Sequence, residues 1–177
     1  NDLKENTIMS TRTTTPVGIA SFPALFKPVG FAGSPEKYSV TLIFDKDEDL
    51  SGLKKSVDEA IAKKFGDKAP ANIAMPVKDG NTKMDKDGNV RPEFAGKKFI
   101  TASCKAEDKP KVVDGEMNAI IDPAAIYGGC EMRVAVNVFA WEYAGKKGVS
   151  LYLSNVQKTG DGQAFGANNS VESDFGF

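Results

Sequence analysis

Histidine is absent from the 177 residues. That excludes Ser-His-Asp and Cys-His catalysis, a His-ligated metal and an imidazole pH switch. Only two cysteines, Cys104 and Cys130, are present. They are too few for a four-cysteine zinc site or a disulfide framework, and they suit a reducing cytoplasm as small core residues. No apolar run approaches the ~20 residues of a membrane helix, and residues 1–5 are polar and charged, unlike a secretory signal. Gly128-Gly129 is not followed by the Lys-Ser or Lys-Thr of a phosphate-cradling loop. Neither sign of charge dominates: 23 basic residues face 24 acidic ones. That is far from the balance of a strong duplex-DNA binder.

What is present is ordinary for one globular domain: 41% hydrophobic and 27% charged residues, with a mean hydropathy of -0.31. The predicted organisation is an N-terminal extension over residues 1–15, a folded domain over 16–158 and a flexible acidic tail over 159–177. The tail is rich in Gly, Asn and Ser, and it holds Asp161, Glu172 and Asp174 with no Lys or Arg. Setting those three acids aside leaves 21 acidic against 23 basic residues, a body of net +2. That surplus leaves room for one basic groove.

The pattern predicts a mainly β protein with one helix. Residues 16–27 are extended, with Pro16 and Pro23 and then Pro28 marking an edge or irregular strand. Residues 37–44, 98–106, 132–143 and 148–156 alternate apolar and polar side chains as half-buried strands do. Residues 144–148, Ala-Gly-Lys-Lys-Gly, join the last two as a hairpin. Leu50, Leu53, Val57, Ile61 and Phe65 recur every three or four residues, which predicts a helix over about 49–65 capped by Gly66. Residues 67–96 contain Pro70, Pro76, Pro92 and the turn pairs Asp79-Gly80 and Asp87-Gly88. They read as a long inserted loop with a loose hairpin near 85–89.

Two acidic runs imitate calcium loops and fail. After Asp45-x-Asp47-x-Asp49 the required Gly is Leu50 and the closing acid is Ser56; Asp85-x-Asp87-Gly88 reads as a turn. Asp114, Glu116 and Asp122 are carboxylates of ordinary loops. No metal, no cofactor and no catalytic residue are expected.

The positive signal lies on the second faces of the late strands. A strand buried on one side should be polar on the other. Here the other sides carry Phe99 with Lys105, Arg133 with Phe139 and Trp141, and Tyr152. Rings among basic and small polar residues suit single-stranded nucleic acid, whose bases stack while Lys and Arg track phosphates. On the residues alone a second reading stays open: the rings form a minor core under the helix or the long loop. The C-terminal peptide, with Glu172, Asp174, Phe175 and Phe177, reads either as a frayed end or as a docking peptide that also competes for the basic groove.

Several segments, in order, resemble a known family, the single-stranded DNA-binding proteins of tailed bacteriophages. They are GIASFPALFKP at 18–28, KYSVTLIF at 37–44, MPVKDGN at 75–81, KKFITASCK at 97–105 and KVVDGE at 111–116. The long block IYGGCEMRVAVNVFAWEYAGKKGVSLYLSNVQK at 126–158, with the GDGQAFG that follows, is the most specific. The resemblance implies an oligonucleotide/oligosaccharide-binding (OB) fold, a small Greek-key β-barrel with an inserted helix. It also implies a non-enzymatic coat for single-stranded DNA in phage replication and recombination, acting in the host cytoplasm. An acidic tail would recruit replication or recombination enzymes, although only three acids lie in this one.

The expected stacking residues are Trp141, Tyr152, Phe99, Phe139 and Tyr127. The expected phosphate contacts are Lys98, Lys105, Arg133, Lys146, Lys147 and Lys158. The competing readings are a virion or assembly protein that binds other proteins, and a metal-dependent nuclease.

Overall fold

In the computed structural model, residues 11–30, 32–67 and 71–165 are described. They form nine strands and one α-helix. Five strands close on themselves: β2 (Gly18–Val29), β3 (Lys37–Asp45), β6 (Lys97–Lys105), β9 (Lys146–Gly160) and β8 (Glu131–Tyr143). Each pairs with the next, and β8 returns to β2 through Gly18–Met132 and Ile19–Glu131. This closed ring is OB-fold-like, as the family resemblance implies, and its long strands are those that alternation predicts. The ladder between β3 and β6 is continuous from Lys37–Lys105 to Asp45–Lys97. The parallel seam between β6 and β9 is only two residues wide, Ala102–Leu151 and Ser103–Tyr152.

Short strands fill the gaps that the main strands leave. β1 (Thr11–Thr14) pairs with β8, so residues 11–14 of the expected N-terminal extension are part of the sheet. β4 (Ile73–Ala74) and β7 (Lys111–Val113) pair with β9, and β5 (Lys78–Asp79) pairs with β6. The β8–β9 hairpin turns through Ala144 and Gly145 alone. Both have positive φ, 53° and 81°, the requirement of a two-residue turn whose twist matches its strands.

Inward residues of the ring make the core: Val40, Leu42, Ile100, Cys104, Met132, Val134, Val136, Val138, Leu151 and Leu153 are all essentially dry. The helix, α1 (Ser51–Phe65), adds Leu53, Val57 and Ala60 to that core and packs against β1 and β8. It begins two residues later than the acidic run suggests. Asp49 stands outside it and accepts a 2.9 Å bond from the Ser51 amide; the Ser51 hydroxyl, then that amide, hold its carboxyl below the usual range. Gly66 ends the helix at φ 63°, its amide bonded to the Ala62 carbonyl. Both cysteines are buried and free, and burial pushes the Cys104 thiol up to about 11.

Candidate nucleic-acid interface

The outer face of the β8–β9 ladder carries three of the expected rings side by side. Register sets Phe139 opposite Ser150, Asn137 opposite Tyr152 and Trp141 opposite Gly148. All three rings are half-buried. Trp141 leans over the facing strand: a Cβ at Gly148 would come within 2.5 Å of the indole, so only glycine admits this pose. The indole Nε1 donates to Ser150 Oγ at 2.8 Å. Lys146 and Lys147 sit at the same end of the ladder, opposite Tyr143 and Glu142, and Tyr143 is 78% exposed.

Tyr152 lies next to Ser103 on β6. Its hydroxyl donates to the Asp108 carboxylate and accepts from the Lys105 amide at 3.1 Å, which ties the ring to the turn Ala106–Asp108. Lys105 itself is exposed there, opposite Lys37. Burial, then the Asp108 bond, pushes the Tyr152 phenol up to about 12. The ordinary value is about 10, so the neutral phenol contributes stability fully present below pH ~10 and lost as the pH rises toward 12. Ultraviolet difference titration should therefore find one of the four tyrosines ionising near pH 12. Tyr152→Phe should remove that step, and the stability gap between the two proteins should close over the same window.

Phe99 requires a correction. Its ring faces outward from β6 as alternation demands, yet it is only 5% exposed. With Ile43 and Phe94 it forms a second, small core, which Ile19 flanks. The inserted loop supplies Phe94, whose ring meets Phe99 edge-on at 5.2 Å. Alternation fixes the face of a residue and cannot show what covers that face.

Tyr127 and Lys158 belong to a different structure at the far end of the ladder. Ten residues separate the Glu131 and Trp141 ends of β8, about 33 Å at ~3.3 Å per residue. The Tyr127 hydroxyl donates to Asp161 at 2.8 Å and accepts from the Gly162 amide at 3.1 Å. Lys158 lies 5.3 Å from the Tyr127 ring and 2.6 Å from the Asp161 carboxylate. Phe165 donates its amide to the Gly128 carbonyl at 2.7 Å. Gly129 has φ 116°, and a Cβ there would stand 2.1 Å from the Gln163 carbonyl. Residues 159–165, expected to be the start of a flexible tail, thus finish β9 and strap back over Gly128-Gly129. Glu172, Asp174, Phe175 and Phe177 lie outside the described residues.

Two further expected phosphate contacts are engaged within the protein. Lys98 donates to the Glu48 carbonyl at 2.6 Å, and Arg133 to the Gln157 side chain at 2.6 Å. The structure therefore gathers Phe139, Trp141, Tyr152, Lys105 and Lys146 along one face; Lys147, opposite Glu142, alternates to the other face of the hairpin, and the rest lie elsewhere. A cavity of about 480 Å³ between β2, β3 and the strap is lined by Asp45, Glu48, Glu93 and Glu131 against Lys97, a lining that repels phosphate.

Sequence reasoning passes over three residues that converge on this side of the ring: Phe22, Lys83 and Arg91. Phe22 precedes Pro23, where β2 shifts register between Ser21 and Ala24. Its φ is 48°, a left-handed conformation costing a bulky residue about 1–3 kcal/mol. The bulge breaks the alternation that would reveal the direction of the ring. Pro23, which has no amide hydrogen for the ladder, is the one signal the sequence offers.

A family model described as "Enterobacter phage Enc34, ssDNA-binding protein" matches residues 13–177. The chain belongs to the Enc34 single-stranded DNA-binding protein family. The Enc34 protein in complex with ssDNA is 26% identical, with a TM-score of 0.70 over 88% of this chain and 89% of that one. A C-terminally truncated form of the Enc34 protein gives 28% identity and a TM-score of 0.67, covering 87% and 88%. The fold is also that of gp2.5, a single-stranded DNA-binding protein encoded by bacteriophage T7. There the identity is 19% and the TM-score 0.64, covering 93% of this chain and 94% of that one. No curated protein sequence matches significantly. Membership in the Enc34 family agrees with the resemblance carried by the block at 126–158.

Proposed function

We propose that the protein binds single-stranded DNA without sequence preference and coats it during phage replication and recombination in the host cytoplasm, with no catalytic step of its own. The observation that carries this reading is the Enc34-family match over residues 13–177. The outer face of β8, β9 and β6 supports it chemically. Bases stack on Phe139, Trp141 and Tyr152, because every base offers a π-face, while Lys105 and Lys146 hold phosphates and Lys147 can reach a strand only from the edge of the hairpin. Titrating the protein with poly-dT while following Trp141, the only tryptophan, tests the reading. Saturable change with an intact strand is expected. No change would favour a protein-binding assembly role, and strand degradation in Mg²⁺ would favour a nuclease.

The acidic C-terminus is proposed to compete weakly for the same face and to dock replication or recombination enzymes through Phe177. Deleting residues 167–177 should tighten DNA binding a few-fold at low salt, where screening is least. The gain should shrink as salt rises. Phe177→Ala should leave DNA affinity unchanged and lose partner recruitment in pull-downs. Equal affinity at low salt together with full recruitment by the truncated protein would dismiss both roles.

A further inference from the structure

The inserted loop does more than cover Phe99. Its hairpin pairs Met84 with Val90, and the Arg91 amide donates to the Lys83 carbonyl at 3.0 Å, so two cations stand side by side on paired residues. Both turn toward Phe22. Lys83 Nζ is 5.3 Å and the Arg91 guanidinium carbon 5.1 Å from the Phe22 ring centre; Lys83 is also 5.8 Å from Phe99. Phe22 is the outermost of three rings, nearly parallel to Phe94 at 6.3 Å, and it is 49% exposed. Among the described residues neither cation forms an ion pair. The Arg91 Nε is buried with no hydrogen-bond partner.

A buried donor without an acceptor, a ring half open to solvent and two cations without counter-ions are left unsatisfied within the described residues. One class of ligand satisfies all three. A nucleotide of a single strand offers a flat base for the ring and an anionic phosphate for the cations. A duplex keeps its base faces stacked and unavailable. We propose that Phe22, Lys83 and Arg91 form a nucleotide subsite, separate from the β8–β9 face. A base stacks on Phe22 while Lys83 and Arg91 exchange the ring for the adjoining phosphates. The proposal rests on the single-stranded DNA reading above and extends it to the inserted loop. Phe22 stands on β2, three interstrand steps from β9 through β3 and β6, about 15 Å, and two steps through β8, so one strand of DNA can reach both sites.

Phe22→Gly is the discriminating variant, since glycine adopts φ 48° without strain. Its affinity for a dT oligonucleotide should fall about 5- to 150-fold, the range of a lost base–ring stack. Its melting temperature should hold or rise. Lys83→Gln and Arg91→Gln should each flatten the salt dependence of binding by about 0.7 in log–log slope. An oligonucleotide carrying 5-iododeoxyuridine should crosslink to Phe22. If wild-type protein does not bind the oligonucleotide, the single-stranded DNA reading itself fails. If wild type binds while Phe22→Gly binds equally and both cation variants keep the full slope, the subsite is overturned and that reading stands. A collapsed melting temperature with normal binding by the folded fraction would likewise overturn it, making Phe22 a packing residue.

Discussion

Phe94→Ala is expected to destabilise the protein by roughly 3–5 kcal/mol, the usual cost of deleting a fully buried aromatic ring. Phe94 has no solvent exposure and lies between Phe22 and Phe99. Its backbone is committed as well. The Phe94 amide donates to Arg91 and its carbonyl accepts from Lys97. A Cβ on Gly80 would come within 2.0 Å of that carbonyl, so the loop closes on itself here with no room to spare. Removing the ring leaves a void that this tight backbone cannot collapse to fill. Chemical denaturation should show a lower midpoint with an unchanged slope, and amide exchange should quicken first between residues 80 and 97. A loss under ~1 kcal/mol would mean that the loop is held by its backbone bonds alone.

Trp141→Ala is expected to weaken binding to single-stranded DNA by roughly 1–3 kcal/mol. Stability should change less, because the ring is half-exposed and its bond to Ser150 is a neutral one worth about 1 kcal/mol net. Trp141→Phe separates the two contributions. It keeps a ring over Gly148 and gives up only the bond, so most of the DNA affinity should survive. If Trp141→Ala instead melts early and the folded remainder binds as tightly as wild type, the indole serves the hairpin and not the DNA. Isothermal titration of each folded variant with poly-dT, beside its melting curve, decides between them.

The elements legible in the sequence are those whose periodicity runs long enough to be read. The Leu53–Val57–Ile61 stripe marks the helix, and the alternation through Met132, Val134, Val136 and Val138 marks β8. β1, β4, β5 and β7 have only two to four residues each, too few for a period, and partners far along the chain decide them. Half of the interface is visible for the same reason: Phe139, Trp141 and Tyr152 follow from alternation. Phe99 lies on the predicted face and is covered by Phe94 from a loop whose path no local pattern reveals. Phe22 is hidden for the opposite cause, a bulge at Pro23 that interrupts the period. The strap at 161–165, entered through Gly160 and holding Gly162, reads as loose, whereas Gly162 permits its close approach to Gly129: a Cβ there would stand 2.2 Å from the Gly129 carbonyl.

The salt dependence of affinity for single strands tests the central claim most directly. Binding of poly-dT and of a mixed-sequence oligonucleotide of equal length would be followed through Trp141 across a series of salt concentrations. The account predicts near-equal affinities for the two. It also predicts a linear log–log decline with a slope of about 0.7 for each phosphate neutralised. Saturable binding confined to one sequence, with little response to salt, would contradict a surface built from stacking rings and phosphate-holding lysines.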